Sequence, residues 1–212
     1  PVDDPANVDV KSLRVAWFTD IGDITSTAEI TSATRSAADA LTDAGVSLTE
    51  DMPGAMLRPS GASLLVADGG AGVRRILDKA GTTEMHPWVG RFVEGTDPLP
   101  VAEYTALLEE IDAFRSDMLG FMENYDAILL PVRPFPAPLH GESRTPEFSP
   151  GNTFTSSFNT TGWPGAVVRA GTSPEGLPLG VQIIARPWRE DVSLALAVVV
   201  ESALGGWQRP GI

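Results

Sequence analysis

The chain has 212 residues, 42% of them apolar, a formal net charge of −13 and no cysteine. That length can bury a sizeable core in one domain, and the acidic balance argues against nonspecific nucleic-acid binding. The missing thiols exclude disulfides, thiolate metal sites and cysteine nucleophiles, and no apolar run approaches the ~18 residues of a membrane helix.

Taken in chain order, "SLRVAWF" (12–18) is β-rich and predicts a buried strand. "ITSTAEITSATRSAADALTDAG" follows, with Ile30, Thr34, Ala37 and Leu41 at helical spacing. Ser26 or Thr27 is available as N-cap and Gly45 as the stop. "VSLTEDMP" then predicts a second, more exposed strand, so the order is strand, helix, strand, the α/β pattern. Residues 60–80 read as helical, interrupted by "DGGAG", and 81–100 as irregular. From Val101 to about Asn124, Tyr104, Leu107, Leu108, Ile111, Met118, Phe121, Met122 and Tyr125 share one helical stripe, whose simplest use is core. "YDAILLPVRPFPAPLHG" is a buried strand ended by prolines. A loop rich in Pro, Ser, Thr and Gly covers roughly 134–153. "GAVVRAG" and "LGVQIIA" bracket the turn "TSPEGLP" and predict an antiparallel pair. The last helix runs from Glu190 to about Leu204, with acids in its first turn. There is no repeat and no linker, so the chain reads as a single domain, 1–212.

Chemistry is sparse. Neither a P-loop nor a dinucleotide fingerprint occurs, because Gly162, Gly165, Gly171, Gly176 and Gly180 do not open a helix. His86 and His140 are far apart and have no carboxylate at ligand spacing, so no metal site is expected and both read as exposed loop residues. A Ser-His-Asp triad has no Gly-x-Ser-x-Gly elbow to sit on. Three polar residues stand out. Asn159, in a Ser/Thr-rich stretch leading into a strand, orients either a turn or a ligand. Arg169, inside "GAVVRAG", must reach the surface, pair with an acid or face a pocket. Gln182, inside "GVQIIA", must be hydrogen-bonded if buried, and reads as a structural clamp. On the residues alone, the chain is an α/β domain and no more.

The ordered set "LRVAWF", "TSATRSAADALTDAG", "YDAILLPVRPFPAPLHG" and "FTSSFNTTGWPGAVVRAGTSPEGLPLGVQIIARPWREDVSLALAVVVESAL" resembles the C-terminal half of the amidase signature family. The resemblance covers roughly Leu13 to Leu204 and implies a mixed sheet within an α/β/α sandwich. It implies hydrolysis or transfer of a small carboxamide by a Ser–cis-Ser–Lys triad. No cofactor, metal or membrane is implied, and the cytoplasm is the default location. The triad belongs to the family's N-terminal half. Here Ser156-Ser157 is flanked by Thr155 and Phe158 rather than glycines, and Lys11 and Lys79 have no matching context, so no catalytic residue is assigned. With no initiator Met at Pro1, the chain reads as a fragment without activity of its own, whose uncovered surface would promote homo-oligomer formation. The implied substrate border is Asn152, Thr155, Phe158, Asn159, Thr161, Gly162 and Trp163. Asn152 stands where amidotransferase subunits carry a substrate-recognising acid, Trp163 where a smaller aliphatic is usual and Arg169 where proline is usual. The rival readings are a noncatalytic ligand- or partner-binding module and an amidotransferase subunit.

Overall fold

Val15 and Ala16 are fully buried at the centre of the first strand, β1 (Arg14–Trp17), because a β-rich run flanked by helices on both faces has no solvent side. The computed structural model describes residues 3–57, 64, 66–87, 89–90 and 97–209. After β1 come α1 (Ala28–Asp43), β2 (Ser47–Glu50), α2 (Ala71–Ala80), α3 (Val101–Met122), β3 (Ala127–Pro131), α4 (Thr153–Thr161), β4 (Gly165–Thr172), β5 (Pro178–Ala185) and α5 (Glu190–Leu204).

The strands form one five-stranded sheet in the order β2-β1-β3-β5-β4. β1 pairs in parallel with β2 and β3, since a helix or long connection returns the chain to the same end each time. β5 runs antiparallel to β3 and to β4, so the sheet is mixed. The "SPEG" turn closes the β4–β5 hairpin. Ser173 accepts the Leu177 N–H on Oγ at 3.2 Å while its own N–H bonds the Leu177 carbonyl at 2.8 Å. A bulge at Arg169/Gly171 shifts the register of β4.

One face of the sheet packs against α1 and α5. Val15, Leu129, Val181, Ile183 and Val168 meet Ala33, Ala37, Leu41, Val192, Leu196 and Val200 there. Each fully buried aliphatic side chain contributes about 1.5–3 kcal/mol of transfer free energy. The opposite face carries Ile128, Leu130, Gln182 and Ile184, all buried, with register pairs Ile128↔Ile184 and Leu130↔Gln182. α4 is attached to that face, giving helices on both sides of the sheet.

The chain divides into two compact units, 1–58 with 117–212, and 59–116. The first holds the sheet. In the second, α2 starts and stops on left-handed glycines, Gly70 and Gly81, and Asp68 accepts the Gly72 N–H at 2.6 Å. Of the helical stretch expected over 60–80, 71–80 is α-helix, while the described residues before it, 64 and 66–70, form 3-10 and turn structure. Residues 60–63 and 65 of that stretch lie outside the described residues.

Two expectations need correction. The α3 stripe is not uniformly core. Ile111, Met118 and Met122 are buried, with Phe114 added to them, but Tyr104 and Leu108 remain 40% and 37% exposed. An apolar stripe shows which face can be buried, while burial needs a partner along its whole length. The Ser/Thr-rich stretch around Asn159 is no irregular approach to a strand. It is α4, a nine-residue helix preceded by 3-10 turns at Glu142–Arg144 and Pro146–Asn152.

Candidate substrate-binding wall

α4 forms from poor helix formers, so packing rather than propensity must hold it. Phe154, Ser157 and Phe158 recur at i, i+3 and i+4 and are buried. The hydroxyls that would compete with the helix instead donate back into it. Thr155 Oγ1 reaches the Asn152 carbonyl at 3.1 Å, Ser156 Oγ that of Thr153 at 3.3 Å and Thr160 Oγ1 that of Ser156 at 3.2 Å. Gly162 ends the helix with φ +69°, and its N–H bonds the Phe158 carbonyl at 2.8 Å. A side chain there would be strained in the left-handed region.

The link to the sheet is Gln182. Its Nε2 donates to the Pro131 carbonyl at 2.8 Å and to the Phe154 carbonyl at 2.9 Å, both in the interior. One buried amide thus ties β5, the end of β3 and the first turn of α4 together. The clamp expected at Gln182 is present.

The site residues named from the sequence separate into two sets. Asn152, Thr155, Asn159 and Gly162 fall on one stripe of α4, with Asn152, Asn159 and Gly162 exposed and Thr155 half-buried. The exposed side chain of Asn159 makes no hydrogen bond among the described residues. Phe158 and Trp163, the latter only 9% exposed, lie inward, and Thr161 is half-buried with its hydroxyl on the Phe158 carbonyl at 3.3 Å. The wall is therefore a polar stripe on an aromatic floor. Arg169 joins neither set; of the three uses open to it, it makes no pair with an acid among the described residues, and its guanidinium donates to the Thr172 hydroxyl on the hairpin. His86 and His140 are exposed.

Sequence reasoning does not single out Arg133. It follows β3 within the run "PVRPFP" and is half-buried, with Nη2 at 3.5 Å from Asn152 Oδ1. A basic residue in a proline-rich exit from a buried strand is the signal that could have found it.

Two clefts of similar size open elsewhere. One, lined by Asp3, Asp4, Asp9, Asp126, Arg189 and Asp191, measures ≈ 500 Å³ and sits at the N-terminal ends of β1 and β3. There Arg189 grips Asp191 with two bonds of 2.9 Å, which holds the Asp191 carboxyl below its ordinary range. Arg14 and Arg186 share Asp126 at 3.5 and 3.4 Å. The other, ≈ 510 Å³, is bordered by Glu142, Thr145, Pro146, Glu147 and Phe148 on the turns before α4. In open α/β sheets, ligands collect at the carboxyl ends of parallel strands, and α4 is fixed to that end of β3 through the Pro131 carbonyl. Among the described residues no group of three or more His, Asp or Glu is placed to hold a metal ion. None of the described helices is long and apolar enough to cross a membrane.

A mixed sheet with helices on both faces and a polar helix at the carboxyl end of a central strand defines an α/β protein. Comparison with known proteins identifies the family. The amidase family model matches residues 1–194, and the chain belongs to that family. It is 35% identical over 106 residues to fatty-acid amide hydrolase 2-A of Danio rerio, covering 50% of this chain and 19% of that protein. It is 42% identical over 88 residues to a glutamyl-tRNA(Gln) amidotransferase subunit of Xanthobacter autotrophicus, covering 40% of this chain and 18% of that protein. The solved 6-aminohexanoate cyclic dimer hydrolase superposes with a TM-score of 0.82 at 24% identity, over 98% of this chain and 48% of that one. The chain thus spans about half the length of that solved relative, and the stretches matched in the curated relatives are a smaller share still.

Proposed function

We propose that this chain is the C-terminal, pocket-forming part of an amidase that hydrolyses a small or apolar carboxamide to the acid and ammonia or amine. All of 1–212 is read as one portion of the amidase signature domain, working in the cytoplasm without a cofactor. The observation that carries the reading is the amidase family match over 1–194, into which the α4 wall falls. In this reading Asn152, Thr155, Asn159 and Gly162 line the substrate, Thr161 borders it, and Phe158 with Trp163 sets the depth of the pocket.

The attacking group comes from outside these residues. Following the family resemblance, a serine adds to the amide carbonyl, a lysine acts through a second serine as base, and the acyl-enzyme is hydrolysed by water. Nothing described in this chain does that work. Ser157 is buried, Ser156 donates to its own helix, and no hydrogen bond among the described residues joins a lysine to a serine. The purified 212-residue chain should release no ammonia from propionamide or benzamide. Turnover by the chain alone, abolished by a serine-directed inhibitor, would overturn the proposal. A second reading, as part of an amidotransferase, is favoured by the 42% identity to the Xanthobacter protein and would require tRNA-dependent activity with added partner subunits.

A further inference from the structure

In a chain with 28 acidic and 15 basic residues, an arginine has many acids to choose from. Arg14 and Arg186 pair with Asp126, Arg75 with Asp68, Arg115 with Asp112 and Arg189 with Asp191. Arg133 is different. It is half-buried, yet among the described residues its one hydrogen bond is the 3.5 Å contact to the neutral Asn152 Oδ1. Glu142 and Glu147, on the turns leading into α4, are exposed and form no ion pair with it among the described residues. A guanidinium carries five donors in a planar fork, so nearly all of that capacity is unused. Partial burial of a cation without a counter-ion is unfavourable, and a carboxylate docked in bidentate fashion relieves it.

The surroundings favour the same ligand. A Cβ on Gly151 would stand 3.0 Å from Phe135 Cζ and 3.6 Å from Arg133 Nη1, so glycine leaves the ring edge and the guanidinium free to approach each other. Phe135 is held edge-on by Phe148, with ring centroids 4.8 Å apart. The Thr27 N–H donates to the Pro134 carbonyl at 2.8 Å, bringing the start of α1 to the residue after Arg133. Thr27 caps that helix without a side-chain bond, and its buried Oγ1 has no partner among the described residues.

We propose that Arg133, steadied by Asn152, is a specificity-determining residue that anchors a carboxylate on the substrate, so that the amide acted on is the monoamide of a dicarboxylic acid or a similar amido acid. This rests on the amidase reading of the α4 wall. The test is a titration of the ¹⁵N-labelled 212-residue chain with propionate, propionamide and succinamate, followed at the Arg133 Nε–H and the Asn159 side-chain amide. Propionate and succinamate should both move the Arg133 signal and propionamide should not, while both amides should move Asn159. Arg133→Gln should weaken succinamate binding by about tenfold and leave propionamide unchanged, with Arg133→Lys intermediate. Carboxylates that leave the Arg133 signal still, or an Arg133→Gln chain that binds succinamate as the parent does, would overturn the anchor. Movement of Arg133 by propionate with no response of Asn159 to either amide supports the anchor and overturns the amide-pocket reading instead. The wild-type titration decides the matter even if Arg133→Gln fails to fold.

Discussion

Asp191 is buried in the first turn of α5, where a negative charge faces the positive end of the helix dipole and a two-pronged arginine. Its folded pKa is depressed, chiefly by the Arg189 hydrogen bonds. A depressed carboxyl contributes stability that is present above its unfolded pKa of about 3.9 and is lost as pH falls through the lower folded value. Asp191→Asn should therefore destabilise the chain at pH 7 by about 1–3 kcal/mol, since it leaves Arg189 partly buried and unpaired. Because Arg189 is half-exposed, the lower end of that range is expected. Urea unfolding at pH 7 and pH 3 should show the gap between parent and variant narrowing in acid. A gap that is constant with pH would mean that the charge is not the source of the effect.

α4 shows how a helix can be present where local preference is weak. Its sequence, TFTSSFNTT, is rich in β-branched and hydroxyl residues, which lose rotamer freedom in a helix or compete for its backbone. What the residues do carry is the 154/157/158 spacing, too short a pattern to be recognised against a Ser/Thr-rich background. Gln182 supplies the rest from another strand. Gln182→Leu would remove the side-chain donor shared by the Pro131 and Phe154 carbonyls, at about 0.5–1.5 kcal/mol for each hydrogen bond lost. The loss should be local first. Hydrogen exchange of the α4 amides should accelerate in Gln182→Leu more than that of the β3 amides. Equal acceleration in both elements would show that Gln182 supports the sheet as a whole rather than docking the helix.

The molecule as a whole leaves apolar surface uncovered around its sheet unit. Val167, on the edge strand β4, is 65% exposed, and Leu194 and Val198 lie one turn apart on the outer side of α5 at 44% and 56%. An open strand edge with apolar side chains is a site of self-pairing. We propose that the chain self-associates through β4. Sedimentation should reveal a concentration-dependent dimer that Val167→Lys weakens, whereas a strictly monomeric chain at high concentration would end this proposal.

The element order was legible because it rests on periodicities that local sequence carries. The four runs beginning at Ser12, Ile24, Tyr125 and Gly165 became β1, α1, β3 and the β4–β5 hairpin with boundaries shifted by only a few residues. Those patterns record which side chains must leave water, and the sheet satisfies them by alternating its buried faces. The motif order likewise carried the family. The composition of the site was not legible in this way. Whether Asn159 points outward and Phe158 inward follows from the helical turn of α4, and that helix is tied to the sheet by a glutamine on β5 that meets a carbonyl 28 residues earlier in the chain. Arg133 meets Asn152 only because the proline-rich exit of β3 folds back beside the same helix. Hydrophobic periodicity is a property of neighbours in sequence and can be read there. Satisfaction of buried polar groups and placement of an unpaired charge depend on partners distant in sequence, and those only the folded chain brings together.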